Sequence, residues 1–421
     1  MTHARRMLLA SNLCKYYRGK YRQNWQNWQK LSAPKDSKRT IGNPVSVLIS
    51  PVTSLFLFPK DGKVKMLRKP SLKLIALGVV SLVLISGCSA SKSTSTASDA
   101  STASKGRVCV ILPDSASSPI WENVHRPVLK AGFEAAGYTA DIQNANGDTN
   151  KFATIGAQQL SSGCKLMLIV DLEGAGIQVA AKAKAQGIPV IALDRPMVGA
   201  DYFVSYDNYK IGQIQGQLVA DALKAEGKDI SKMNVVYVGG DPTDGTVKLL
   251  HDGANESLTT AGLVKPAGET QGTWDGAKAG TYFEQMYTKL KGNVDGVWVA
   301  NDTNAAAVIT ILDKYGKKIP VSGQDSTDAG LQNVLLGKQS GTVNTAGHAE
   351  PLAAIKAGLD ILAGTVPAFT EKQDGVPFIK VDPQVVHAET IKELIASGQV
   401  LAANLCTTPE LKTACTKYGV K

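Results

Sequence analysis

From residue 108 onward, short apolar runs alternate with longer amphipathic stretches. VCVILP (108–113) is the first run, and a helical pattern over 118–137 follows it and stops at Gly137. TADIQN (139–144) reads as a strand, 149–162 as a helix, LMLIVD (166–171) as a buried strand and 175–186 as a helix ended by Gly187. IPVIALD (188–194) and YFVSYD (202–207) predict a fourth and a fifth strand. Strands apolar on both faces and separated by amphipathic helices predict a parallel sheet covered on each side. The alternation restarts with MNVVYVGG at Met233, and VDGVWVA (294–300) and IPVSGQD (319–325) supply its later strands. Two such series predict an α/β protein with two doubly wound parallel-sheet lobes.

In such sheets a ligand lies beyond the carboxyl ends of the strands, so those positions carry the functional reading. Pro113-Asp114 and then Trp121 follow the first strand, and Asp194-Arg195 follow the fourth. Asp241 and Asp244, with Thr243 and Thr246, follow the opening strand of the second series. Asn301-Asp302 come after VWVA, and Gln324-Asp325 after PVSG. Carboxylates, amides, a guanidinium and indoles around one cleft suit a sugar. Each sugar hydroxyl both donates and accepts, so planar bidentate groups satisfy two at once, and an indole covers the apolar face of a pyranose. Asp at a strand-to-helix junction also serves as an N-cap, a reading that competes at Asp241, Asp244 and Asp302. Trp298 lies inside a strand and is read as core.

A chain of 421 residues predicts two domains with appendages. Its formal charge of +10 raises nucleic acid as a partner. The distribution of that charge removes the idea: residues 1–87 hold 16 Lys+Arg against 2 Asp+Glu, and the remainder holds 30 against 34. No nucleic acid is expected.

The basic excess belongs to addressing. Arg68, Lys69 and Lys73 precede a short apolar run from Leu74 to Ile85, and Ile85-Ser86-Gly87-Cys88 follows. This is the pattern of a secretory signal over 66–87, too short for a permanent membrane span. Small residues before a cysteine resemble a bacterial lipobox, which makes Cys88 the acylated first residue and places the body outside the cytoplasm on a membrane anchor. Residues 88–105 are a Ser/Thr/Ala tether. Residues 1–65 read as upstream over-translation with Met66 as the true start, or as a long disordered leader.

Setting aside Cys14 and Cys88, four cysteines remain, and an even number outside the cytoplasm favours disulfides. Cys406 and Cys415 are close in sequence. Cys109 lies in the first strand and Cys164 just before the third, which are neighbours in a sheet ordered 2-1-3. Metal binding is the competing reading, but the chain has no C-x-x-C and no His pair at ligand spacing, and neither metal nor cofactor is expected.

From about Gly106 to beyond Val386 the chain resembles the type I periplasmic sugar-binding proteins, the D-xylose-binding branch most of all. The strings that carry this are NANGD (144–148), PVIALDRP (189–196), VSYDN (204–208), GGDPTD (239–244), ANDTNA (300–305) and VSGQD (321–325). The resemblance implies sugar contacts at Trp121, Asp194, Arg195, Asp244, Asn301 and Asp325, with Trp274 near a second aromatic wall. It implies lobes of 106–207 with 345–378 and of 208–344 with 379–421, joined by a hinge. Crossings are expected near Tyr206–Asn208, Val343–Ala346 and Val376–Val381. A monomeric receptor that closes on a monosaccharide and hands it to ABC permease subunits is the implied function. Three positions depart from the family: Ile120 stands where an Arg is usual, Thr246 where an Asn is, and Thr345 where a Lys is. Each lost partner of a buried hydroxyl costs roughly 1–3 kcal/mol, so a different sugar or polyol suits the reshaped pocket.

Three other readings compete with this one. The sensing half of a LacI-type regulator shares the fold but needs a helix-turn-helix and a cytoplasmic address. An enzyme on this scaffold lacks a G-x-S-x-G elbow, a phosphate loop and an H-E-x-x-H motif here. A receptor that reports sugar to a membrane signalling protein has the same sequence requirements as a transport receptor.

Overall fold

The computed structural model describes residues 104–421. The leader, the signal over 66–87 and Cys88 lie outside the described residues. In the first half β1 (Arg107–Leu112), β2 (Thr139–Asn144), β3 (Cys164–Ile169), β4 (Val190–Leu193) and β5 (Tyr202–Tyr206) alternate with helices. The second half contributes β6 (Val235–Val238), β7 (Gly268–Glu269), β8 (Gly296–Val299) and β9 (Thr342–Asn344). The chain then adds β10 (Glu371–Gln373), β11 (Val376–Val381) and β12 (Gln384–Val386).

The first lobe is a seven-stranded sheet ordered β10-β11-β5-β4-β3-β1-β2, parallel except for the β10 edge. Side chains alternate across it, as the period of two requires. Cys109, Ile111, Met167, Ile169 and Ala192 join Phe152, Ile155 and Val179 on one face. Val108, Val110, Leu112, Leu168 and Leu193 join Leu129, Phe133 and Ile355 on the other. Each fully buried Val, Leu or Ile contributes about 1.5–3 kcal/mol, which is why these runs carry no polar residue.

The second lobe centres on the parallel strands β7-β6-β8. Isolated bridges Val297 to Val321 and Gln324 to Val343 carry the sheet on to β9, which pairs with β12. The predicted strand at 319–325 is thus reduced to bridges. Pro320 has no N–H to donate and Gly323 is held against the buried Asp302 carboxylate, so no continuous ladder forms. The expected helix over 118–137 also differs. Residues Trp121–His125 form a wider π-type turn, and the α-helix starts only at Arg126. Pro127, tolerated in a first helical turn but not in the interior, accounts for the break.

The chain passes between lobes three times. After β5 the helix Asn208–Ala225 packs Ile211, Val219 and Leu223 against Val235 and Trp298. After β9 the helix Ala349–Leu362 returns to the first sheet through Ala354 and Ile355. After β11 the chain goes back to pair β12 with β9. The expected boundary at 378/379 falls inside β11, whose pairing with β5 continues to Val381 opposite Tyr206. The passage therefore follows Val381.

The helices Asn208–Ala225 and Gly245–Ala261 approach backbone to backbone. A Cβ at Gly212 would lie 2.1 Å from the Leu250 carbonyl, and one at Gly253 2.1 Å from the Tyr209 carbonyl. Three short C-terminal helices, Ile391–Ala396, Ala402–Leu405 and Pro409–Tyr418, cover the helix Asp328–Leu335 with their own small core. A disulfide joins Cys406 to Cys415 in this cap, and another joins Cys109 on β1 to Cys164 on the adjacent β3.

Candidate functional site

The carboxyl ends of the strands from both lobes meet at one place. After β1, Asp114 organises a tight turn: its Oδ1 accepts from the backbone N–H of Ala116 and Ser117, and its Oδ2 from the Ser117 hydroxyl. The turn presents Ser117 in two directions. Its hydroxyl oxygen accepts from Trp121 Nε1 at 3.1 Å, and its carbonyl accepts from Asn301 Nδ2 of the other lobe at 3.0 Å. Asn301 also caps the helix Asp302–Lys314.

Arg195, after β4, crosses the cleft. Its Nε lies 2.9 Å from Asp244 Oδ2, its Nη1 donates to the Asp171 carbonyl, and its guanidinium sits 5.7 Å from the Trp121 ring. Asp244 divides its two oxygens between a helix cap and the cavity wall. One oxygen caps a helix through Thr246, and the other accepts from both Arg195 and Trp274 Nε1 (3.1 Å). A cavity of about 300 Å³ opens here, lined from the two lobes by Ser117, Arg195, Asp241, Asp244 and Trp274. That volume lies at the lower end of the range for small-molecule pockets.

Three of the seven residues expected to touch a ligand, Arg195, Asp244 and Trp274, therefore line this cavity. Trp121, Asp194, Asn301 and Asp325 are not in its wall. Trp121 and Asn301 are buried, tied to the Ser117 turn from behind. Trp298 packs edge-on to Tyr237 and donates to Gln215, as a core residue should.

Asp194 and Asp325 occupy matching places, one in each lobe, and both have left-handed backbones (φ 64° and 100°). Ser326 follows at φ 51°. A non-glycine residue held so costs of order 1–3 kcal/mol and persists only where its surroundings impose it. Asp194 N–H donates to the Val204 carbonyl, and its own carbonyl accepts from Ser205 Oγ. Asp325 N–H donates to the Val343 carbonyl, and the next turn is held by Asp302, whose Oδ2 accepts from Thr327 N–H. Asp302 is thus a buried post, gripped further by Gln339 and Thr342.

Two residues that sequence reasoning passed over complete this inner region. His125 and Glu350 are both fully buried, with Nε2 and Oε2 3.0 Å apart. The His125 ring packs 5.0 Å from Trp121. Burial pushes the Glu350 carboxyl well up, with Asp325 adding to it, and pushes the His125 imidazole down. Both shifts favour the neutral pair, in which the Glu350 acid donates to Nε2 and Nδ1–H faces the Ile120 carbonyl. Burial and then Glu350 raise Asp194 well above the carboxylate range. Burial raises Asp325 despite the Thr345 hydroxyl, and burial followed by Asp325 brings Asp302 up to about 7.

Raised acids fix the sign of a pH dependence. A carboxyl whose folded pKa exceeds its unfolded value stabilises the fold fully at low pH, and that contribution is lost as pH climbs through the folded pKa. Asp194, Asp325, Glu350 and Asp302 all act this way, whereas the depressed His125 and His348 oppose them by destabilising as pH falls below their unfolded value. Thermal denaturation of the ligand-free chain should give a higher Tm at about pH 5.5 than at about pH 8, with Asp302 contributing on the order of 2 kcal/mol to the difference. A Tm that rises across this interval would contradict the buried-acid assignment.

Comparison with known proteins agrees with this architecture. The periplasmic binding protein domain family matches residues 108–365, more than half of the chain. The D-xylose-binding periplasmic protein of Haemophilus influenzae is 30% identical over 285 residues, covering 64% of this chain and 83% of that protein. The multiple sugar-binding periplasmic protein SbpA of Azospirillum brasilense is 30% identical over 263 residues, covering 57% of this chain and 72% of that one. Among solved structures, an ABC transporter solute binding protein from Clostridium phytofermentans with bound β-D-glucose aligns with a TM-score of 0.64 at 26% identity, over 71% of this chain and 99% of that one. With its two α/β lobes, its facing strand ends and this match, the chain belongs to the periplasmic binding protein family, in the type I fold.

Proposed function

We propose that this protein is an extracytoplasmic sugar receptor that binds a monosaccharide of pyranose size between its lobes and delivers it to an ABC importer by hinge closure. The observation that carries this reading is the Arg195–Asp244 pair, which draws one strand end from each lobe into the wall of a single cavity beside Trp274. Asp194, Arg195, Asp244, Asn301 and Asp325 supply the hydrogen bonds, and Trp121 and Trp274 the apolar faces. A sugar that touches both lobes stabilises the closed state through contacts the open state lacks. Lobes of 106–207 with 345–381 and of 208–344 with 382–421 close on it. The relatives' names span D-xylose, several sugars and D-glucose, so kinship does not favour one monosaccharide. Ile120 is packed in the core, Thr246 is turned onto Asp244 and Thr345 onto Asp325, which supports a pocket shaped for a sugar other than xylose.

Calorimetric titration of the full chain with D-xylose, D-glucose and related monosaccharides tests the reading. At least one should bind, and Asp194→Ala or Asp325→Ala should each weaken it roughly tenfold to a hundredfold, the cost of leaving a buried sugar hydroxyl unpaired. Affinity indifferent to both substitutions would place the ligand elsewhere. The anchor is a separate part of the proposal, with Cys88 as the acylated residue and 88–105 as the leash. Cys88→Ala should abolish incorporation of labelled fatty acid and release the protein from the membrane fraction. Labelling that survives the substitution rules the anchor out.

A further inference from the structure

Trp121 supports two residues of the cavity wall without itself reaching the cavity. Its Nε1–H donates to Ser117 Oγ at 3.1 Å, and its ring carries the Arg195 guanidinium at 5.7 Å. Ser117 and Arg195 both line the cavity, and each also reaches the second lobe. The Ser117 carbonyl accepts from Asn301 Nδ2, and Arg195 Nε meets Asp244 Oδ2. A rotation of this one indole would therefore displace both interlobe contacts together.

What stands behind the indole is a buried polar pair. Trp121 opens the π-type turn Trp121–His125, closed by the Arg126 N–H on the Trp121 carbonyl. Turns of this width are rare inside helices and recur at functional sites. This one sets the His125 ring 5.0 Å from the indole at an angle of 52°. His125 Nε2 in turn lies 3.0 Å from Glu350 Oε2, and both side chains are fully buried. Glu350 sits in the first turn of the helix Ala349–Leu362, just after the chain returns from the second lobe. That helix runs so close to the helix Arg126–Ala135 that a Cβ at Gly132 would come 2.4 Å from Ile355 Cδ1. Glu350 Oε1 has no hydrogen-bond partner among the described residues, so His125 is what holds the carboxyl. Two apolar side chains of this size would pack here without the cost of burying polar groups. What the hydrogen bond adds is a fixed imidazole plane beside the indole.

We propose that His125 and Glu350 are positioning residues for the cleft: their hydrogen bond orients the imidazole, the imidazole orients Trp121, and Trp121 sets the Ser117 turn and the Arg195 guanidinium where the two lobes meet. The inference rests on the sugar-receptor reading above and adds two residues to that site. Neither residue lines the cavity, so each acts on a ligand only through Trp121. Support of this kind holds contact atoms to within about 0.5 Å of the productive geometry. The link needs a hydrogen bond and no charge. An amide at position 350 therefore serves as well as a carboxyl, whereas an aliphatic side chain leaves His125 Nε2 unpaired and the ring plane unfixed.

The test follows two signals in the full chain, isotopically labelled at tryptophan. One is the Trp121 indole N–H resonance, assigned by its absence from Trp121→Phe. The other is calorimetric affinity for the tightest-binding of D-xylose, D-glucose, D-galactose and D-allose. Glu350→Leu should shift the Trp121 resonance, leave that of Trp298 in the second-lobe core in place, and weaken binding roughly tenfold, the equivalent of one hydrogen bond. Glu350→Gln should restore both signals. His125→Leu removes the ring beside the indole and should repeat the loss, an independent reading if Glu350→Leu folds poorly. A Trp121 resonance and an affinity unmoved by Glu350→Leu and His125→Leu overturn the inference, as does a loss that Glu350→Gln shares in full. If the unaltered chain binds none of the four sugars, the receptor reading falls, and the Trp121 resonance alone decides the positioning.

Discussion

The buried contact between Arg195 and Asp244 is the constraint around which the cleft is arranged. Both side chains are almost wholly out of water, 8% and 5% exposed. Removing two charges from water costs several kcal/mol per ion, and attraction offsets that only when the remaining polar atoms are also satisfied. Here they are: Asp244 takes bonds from Thr246 and Trp274, and Arg195 gives one to Asp171 while its face lies over Trp121. The pair therefore fixes both indoles as well as both lobes. Losing either partner would strand a buried charge, a change typically worth 3–5 kcal/mol.

Asp194 and Asp325 show what the lobes hold ready. Each holds a left-handed conformation, Asp194 directly after β4 and Asp325 directly after an isolated bridge. In each case backbone bonds to the neighbouring strand impose the strain, Val204 in one lobe and Val343 in the other. The two lobes thus present a carboxyl from the same structural position. Behind them Asp302 and the His125–Glu350 pair are fully buried, and Gly323 and Gly330 leave no room for a side chain beside the Asp302 carboxylate. A preorganised site of this kind loses little entropy when a ligand arrives.

Much of this was legible in the sequence because position and chemistry coincide. Asp194, Arg195, Asn301 and Asp325 stand directly after apolar runs, the address that puts a residue at the end of a parallel sheet facing the other lobe, although only Arg195 of the four lines the cavity. Asp244 was ambiguous between cap and site because its two oxygens do one task each. His125 and Glu350 were missed because nothing next to them in sequence marks them. The available signal was helical phase: His125 shares a face with Trp121, Val128 and Leu129, and Glu350 with Ala354 and Ala357, all buried. A polar residue on an apolar stripe, repeated on two helices far apart in sequence, indicates a buried pair. The strand expected at 319–325 failed for a local reason, since Pro320 and Gly323 keep the segment extended without letting it form a ladder.

A crystal structure of the chain grown with the tightest-binding monosaccharide tests the account most directly. It predicts a pyranose ring against Trp274, with polar atoms within hydrogen-bond distance of Asp194 from one lobe and Asp325 from the other. A ligand that contacts only one lobe, or that leaves both carboxyl groups untouched, would contradict it.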